Sequence, residues 1–236
     1  EVVVNCAAYV RVDQAEEEPE IAIRVNSVGA LYVARACAEI NALCVYISTD
    51  YVFDGEKREP YTEDDIPRPI NVYGASKLAG EYLVRQARPE SLIVRVASLF
   101  GKAGASGKGG NFIETLLAKA RAGERLRVVN DIRISPTYTY DGARALVQLL
   151  RQGATGLFHL TNIGSCTWYE FARKILELVS PGTDLEAVSS LEYPSKARRP
   201  KDSSLRSVRL AGFLEDALRP WEEALNSYLV ETGHIP

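Results

Sequence analysis

The sequence predicts an α/β protein built on a doubly wound parallel sheet, with a small cap toward the C-terminus. Three observations carry this. Short continuous apolar runs occur at Val2 to Val4, Leu43 to Ile47, Leu92 to Ala97 and Leu157 to Thr161; helically spaced stretches lie between them; and loop-rich segments interrupt the alternation. Runs without polar alternation suit strands covered on both faces, and β and α alternating at this spacing argue parallel pairing.

The elements follow in order. Val2 to Val4 closes on Asn5-Cys6-Ala7-Ala8, and Asn26 to Ile40, rich in Ala, Leu and Val, reads as a helix with Asn26 or Ser27 as its N-cap. Leu43 to Ile47 runs into Ser48-Thr49, and a loop over Asp54 to Ile70 precedes a helix at Asn71 to Ala87. After the strand Leu92 to Ala97 comes a glycine-rich loop, Lys102 to Gly110, with Gly104, Gly107 and Gly109 inside it. Helices at Asn111 to Ala122 and Asp141 to Gln152 then lead to the strand Leu157 to Thr161. From about Gly164 the alternation weakens into a helix at Trp168 to Val179, an irregular stretch with Pro194 and Pro200, and a last helix at Pro220 to Val230. Loops at the carboxyl ends of parallel strands are where such folds build their sites.

Composition narrows the function classes. The 236 residues can bury a substantial core, and 28 Lys+Arg against 31 Asp+Glu give a net charge of −3 with no long like-charge block. No broad phosphate-neutralising surface for nucleic acid is indicated. Cys6, Cys37, Cys44 and Cys166 sit among apolar residues without CxxC spacing, as buried free thiols of a reducing cytoplasm do. His159 lies in an apolar strand and His234 in a tail, so no metal-ligand set is read. Neither an apolar run long enough to span a membrane nor a secretory leader is read, and a cytoplasmic protein is expected. The chain has no Met and opens directly in a strand, which predicts that the start of the domain is missing.

The sharpest chemical signal is Tyr73-Gly74-Ala75-Ser76-Lys77 at a helix start. Residues four apart share a helix face, so the Tyr73 phenol and Lys77 ammonium are expected in one space. A free tyrosine titrates near 10, and a unit charge about 4 Å away at an effective dielectric of about 20 contributes roughly 4 kcal/mol, or about 3 pKa units. Lys77 is therefore expected to bring Tyr73 into the range of a general acid. Upstream, Ser48-Thr49-Asp50-Tyr51 begins where a strand ends, placing a hydroxyl where a substrate carbonyl could meet it.

Together VNCAAYVRVDQAEEEP, STDYVFDG, NVYGASK, VVND, SPTYTYD and ARRPKDSSL, in this order and spacing from Glu1 to about Leu205, resemble the extended short-chain dehydrogenases and most closely the dTDP-4-dehydrorhamnose reductase family. The resemblance implies a Rossmann-type cofactor domain over 1–101 and 131–163, lacking its N-terminal βαβ portion, and a small α+β substrate cap over 102–130 and 164–236. By position it makes Thr49, Tyr73 and Lys77 catalytic. Ala7, Ala8, Tyr9, Val10 and Ser48, with Tyr73 and Lys77, would line NADPH or NADH. Thr49, Asp50, Ser98, Asn111 and Arg199 would meet the nucleotide sugar. Many relatives carry Trp at the position of Ser98, which leaves the exact sugar open. Asn26 matches a helix asparagine that organises a proton path, or is a plain N-cap. Asn111 contacts substrate or caps a helix, and Arg199 meets phosphates or only solvent.

The implied reaction is reduction of the C4 ketone of a dTDP-4-keto-6-deoxysugar, dTDP-4-dehydrorhamnose to dTDP-L-rhamnose, by a protein without membrane or nucleic-acid partners. A homodimer and a bridging Mg2+ stay open. Dehydratases of the same superfamily place an Asp-Glu pair after the catalytic Thr, whereas Asp50 is followed by Tyr51. The alternatives are another nucleotide-sugar reductase or epimerase, or a non-catalytic subunit resembling the β subunit of methionine adenosyltransferase.

Overall fold

The computed structural model of the chain describes residues 1–103, 110–193, 195–214 and 218–236. Gly104, Gly107 and Gly109 of the glycine-rich loop, and Pro194, lie outside the described residues.

β1 (Val2–Asn5) leads through one turn, α1 (Val12–Ala15), into a long helical run: α2 (Pro19–Ile23), a π-helical segment Arg24–Gly29, and α3 (Ala30–Glu39). β2 (Leu43–Thr49), α4 (Val72–Ala87), β3 (Leu92–Val96) and β4 (Leu99–Phe100) follow. Next come α5 (Phe112–Arg121), β5 (Leu126–Val129), β6 (Arg133–Ile134), β7 (Thr137–Tyr138), α6 (Thr139–Arg151) and β8 (Gly156–His159). The last elements are β9 (Cys166–Thr167), α7 (Trp168–Val179), β10 (Leu185–Val188) and α8 (Trp221–Glu231).

β1, β2, β3 and β8 form one sheet in that order, every pair parallel, with Val45 opposite Leu92 and Leu92 opposite Gly156. Alternation along the strands divides the core between its faces. Cys44, Tyr46 and Ile93 pack on Ala30, Ala34 and Cys37 of α3 and Val84 of α4, whereas Val45, Leu92 and Val94 pack on Ala145 and Leu149 of α6. Helices on both faces are the physical reason these strands are apolar throughout. A separate core gathers Phe100, Ile113, Leu117, Val128, Phe171, Ile175, Leu225 and Tyr228 from α5, β5, α7, α8 and their neighbours, and β5 pairs with β10 in parallel. Leu210, Phe213, Leu214 and Leu218 lie against the α6 side of the main sheet.

The helix expected from Asn26 begins earlier, because Pro19 opens it in the first turn. Asn26 is therefore no N-cap. It is buried within the π-helical segment, and the carbonyl of Asn26 accepts from Tyr46 Oη at 2.7 Å. A Cβ on Gly80 would stand 2.4 Å from that carbonyl and 2.3 Å from Tyr46 Oη, so the run crosses α4 at backbone contact. Pro19–Glu39 is also long and apolar enough by length and composition to cross a membrane, with mean hydropathy 1.2. Here it lays Ala22, Ala30, Ala34 and Cys37 inward, and Ser27 Oγ donates to Ser76 O of α4 at 2.7 Å.

Candidate active site

The site forms where β2 ends beside the start of α4. Thr49 caps the short turn Asp50–Val52, its hydroxyl accepting from Tyr51 N at 3.2 Å, while Asn71 caps α4, its Oδ1 accepting from Gly74 N at 2.8 Å. A Cβ on Gly74 would fall 2.0 Å from Tyr51 O, so strand end and helix start meet main chain to main chain. Across this contact the Tyr73 and Thr49 hydroxyls come near enough for Thr49 to pull on the Tyr73 proton, and the Tyr73 ring stands edge-on to Tyr51 at 5.9 Å.

Lys77 follows one turn along the helix, but it does not do what spacing alone predicts. Its Nζ donates to Ile47 O at 2.6 Å and lies 4.1 Å from the centre of the Tyr46 ring. Burial pushes Tyr73 up to about 12, helped by the Asp50 charge and opposed by the Thr49 hydroxyl; Lys77 is not among the groups that shift it. Lys77 is itself brought down to about 8, chiefly by burial, against the pull of the Glu81 carboxylate. The expected acidification of Tyr73 by Lys77 is thus corrected for this state. The strand carbonyl and the aromatic face take the ammonium, and desolvation outweighs charge.

Thr49, Asp50, Tyr73, Ser98 and Asn111 all line one cavity of about 410 Å³, together with Val10 and Ser48 and with Phe112 and Trp168, whose rings are 4.7 Å apart. Ser98 holds φ at +41°, a left-handed conformation rare for serine and found most at sites. The Ser48 hydroxyl points into the core, donating to Glu81 at 2.5 Å. Asn111 proves to be a cap: its Oδ1 accepts from Glu114 N, and its amide nitrogen donates to Gly101 O and Tyr228 Oη, both at 2.9 Å. Both its donors are committed inside the protein.

The segment after β1 is held by Asn26, which accepts from Tyr9 N at 2.8 Å and donates to Tyr9 O at 3.1 Å and Ser76 Oγ at 2.9 Å. Ala7 and Ala8 precede that clamp, Ala7 N donating to Asn5 at 3.1 Å, and the Tyr9 phenol turns outward to Glu18 at 2.6 Å. Arg199 does not line the cavity. Its guanidinium forks onto Asp13 at 2.7 and 3.1 Å, and its charge works against the rise that burial imposes on the pKa of Tyr51, which does line the cavity. The late motif around it instead straps the site: Arg198 O accepts from Asn71 at 2.9 Å, and Ser203 Oγ donates to Asp50 at 2.5 Å. Neither Ser203 nor Glu81 was singled out from the sequence, although Glu81 sits four residues beyond Lys77, a spacing that could have flagged it.

Asp50 is buried, accepts from Thr49 and Ser203, and is raised from 3.8 to about 6 by burial. The folded state therefore binds this proton more tightly than the unfolded chain, so stability from this group falls as pH rises from about 4 to about 6. The cost is up to about 3 kcal/mol above that window. Asp50→Asn, which can still bond both hydroxyls, is expected to unfold at a higher temperature than the parent at pH 8 and at the same temperature at pH 4. Thermal melts at the two pH values check this.

The doubly wound sheet and the tyrosine at the helix start beside its edge place the chain among the extended short-chain dehydrogenases. Comparison with known proteins narrows that class. The RmlD substrate binding domain family matches residues 1–233, and the chain belongs to that family. Among its relatives, the spore coat polysaccharide biosynthesis protein SpsK of Bacillus subtilis is 42% identical over 233 residues, covering 98% of this chain and 79% of SpsK. A dTDP-4-dehydrorhamnose reductase of Mycolicibacterium smegmatis is 42% identical over 230 residues, covering 95% of this chain and 68% of the relative. The crystal structure of dTDP-4-dehydrorhamnose reductase from Bacillus anthracis in complex with NADP superposes with a TM-score of 0.91 at 40% identity, over 98% of this chain and 80% of that one.

Proposed function

We propose that the chain carries the reducing centre of an NAD(P)H-dependent enzyme acting on the C4 ketone of a dTDP-4-keto-6-deoxysugar, with dTDP-4-dehydrorhamnose as substrate and dTDP-L-rhamnose as product. The observation that carries the reading is the pair of neighbouring hydroxyls, Tyr73 and Thr49, in the wall of one cavity. The names of its relatives point the same way.

Tyr73 is the acid and Thr49 the second donor on the ketone oxygen. A phenol at about 12 is still a stronger acid than the conjugate acid of an alkoxide, comparable to water at about 15.7. Proton transfer to the developing alkoxide is therefore downhill without help from Lys77. The two donors share the oxyanion as charge develops, which is where preorganised hydroxyls lower a barrier most. The single Thr49 hydroxyl proton goes to Asp50 in this structure, so Thr49 donates to the ketone oxygen by trading that bond when substrate enters.

The donor set fits a nicotinamide nucleotide. An ammonium has three donors; Ile47 O takes one and the Tyr46 ring faces another, which leaves one for a ribose hydroxyl, while Ala7 and Ala8 leave the main chain after β1 open to a flat ligand. When bound, a reduced nicotinamide supplies the hydride. In this reading 1–101 with 131–163 holds the cofactor and 102–130 with 164–236 covers the sugar nucleotide. Ser98 bears on which sugar is preferred. Among the described residues no group of three His, Cys, Asp or Glu could hold a metal ion, so Mg2+ gains no support.

The test is absorbance at the reduced nicotinamide band. With dTDP-4-dehydrorhamnose the signal should decay with NADPH, NADH or both, and the product should be dTDP-L-rhamnose. No decay with either cofactor removes this reading.

A further inference from the structure

One face of α4 is stitched to three consecutive residues at the end of β2. Of Tyr73, Lys77 and Glu81, each four residues apart, Tyr73 stands beside Thr49, while Lys77 and Glu81 bond Ile47 and Ser48 respectively. The third rung is the most enclosed. Glu81 is 4% exposed, its Oε1 accepting from Ser48 Oγ at 2.5 Å and Arg95 Nε at 2.9 Å, and its Oε2 accepting from Arg95 Nη2 at 2.7 Å. Arg95 is 2% exposed, stands 5.1 Å from the Phe53 ring centre, and turns its other nitrogen toward His159 at 3.5 Å.

We propose that Glu81 is a positioning residue for the reducing centre: it pins the strand end through Ser48 and, one turn beyond Lys77, supplies the buried negative charge that keeps the Lys77 ammonium protonated. The proposal rests on the reading of Tyr73, Thr49 and Lys77 given above. An ion pair serving the core alone would need only Arg95, and the bond to Ser48, next to Thr49, would have no purpose. The charge balance argues the same. The groups facing Glu81 are Lys77 on its own helix, Ser48 and Tyr46 on β2, and Arg95 on β3, with His159 of β8 behind Arg95. His159 is neutral, pushed down to about 4 by burial. Two cations therefore share one carboxylate, and Lys77, with only a carbonyl and a ring as direct partners, depends on it.

Glu81→Gln keeps the shape and the Ser48 bond and removes the charge. Because it strands Arg95, it is paired with Glu81→Gln/Arg95→Met, whose core stays neutral. A carbon-13 NMR titration of ε-labelled lysine is expected to place the Lys77 midpoint about one pH unit lower in both variants than in the parent. The alkaline limb of kcat/KM should move acidward by the same amount, and KM for the nicotinamide cofactor at pH 8 should rise about fivefold, as the cationic fraction of Lys77 falls from about one half to about one eleventh. An unmoved Lys77 midpoint in the folded double variant overturns the proposal, even if activity drops. A parent protein that reduces no nucleotide sugar would instead overturn the reductase reading, and the Lys77 midpoints would still decide the role of Glu81.

Discussion

Tyr73→Phe is expected to lower kcat by about 10²- to 10⁴-fold, the usual contribution of a positioned general acid. The folded protein should scarcely notice. Phenylalanine keeps the edge-on contact with Tyr51. The Thr49 hydroxyl, deprived of its tyrosine neighbour, still donates to Asp50 at 3.0 Å and accepts from Tyr51 N. No buried polar group is orphaned, so the melting temperature should move by no more than a weak hydrogen bond allows, about 1 kcal/mol. Cofactor and substrate KM should change little, because the lost interaction matters chiefly as the alkoxide forms. Steady-state kinetics with calorimetry check both halves. A variant that keeps near-parental kcat would show that the proton reaches the sugar by another route.

The pH profile separates the two members of the motif. Tyr73, at about 12, keeps its proton throughout the range in which the protein is handled, whereas Lys77, lowered to about 8, is cationic below that value and neutral above it. Loss of activity through pH 8 therefore reports the lysine and its hold on the ribose. In the Tyr73→Phe variant the residual rate should keep the same alkaline limb.

Much of this was legible in the chain because it is local. The strands declare themselves by continuous apolar runs. Asn71 and Asn111 mark helix starts because a short acceptor side chain answers the free N–H groups of a first turn. The Tyr73 to Lys77 spacing needs only helical periodicity. What failed was long-range. The direction of the Lys77 ammonium depends on Ile47 and Tyr46, thirty-odd residues upstream, and Asn26 became a clamp rather than a cap because Pro19 started its helix about two turns earlier. Arg199 carries the right chemistry for a phosphate but found Asp13 first. Ser203 could not be tied to Asp50 from 153 positions away, since nothing in either neighbourhood records that the late segment folds back across the site.

Gly74→Ala should be the most damaging single-methyl change near the site. On helix propensity alone it would stabilise α4 by about 1 kcal/mol. The added Cβ, however, would stand 2.0 Å from Tyr51 O and 2.9 Å from Tyr51 C, and both partners are main chain, with no flexible end to swing away. Either α4 lifts from the turn after β2 or that turn moves. Overpacking of this kind costs typically 1–3 kcal/mol and occasionally more. Taking about 3 kcal/mol net, the melting temperature should fall by roughly 6–12 °C for a domain of this size. The kinetic loss should exceed what stability explains, because the displaced element carries Tyr73 and the stationary one Thr49. A misplacement of about 1 Å between reacting groups can cost about 10²-fold in rate. Ala75→Gly, at the exposed neighbouring position, provides the contrast: it weakens the same helix by about 1 kcal/mol while leaving kcat intact. If Gly74→Ala melts lower yet turns over at the parental rate below its melting temperature, the contact between helix start and strand end serves stability alone, and the hydroxyl pair is held by something else.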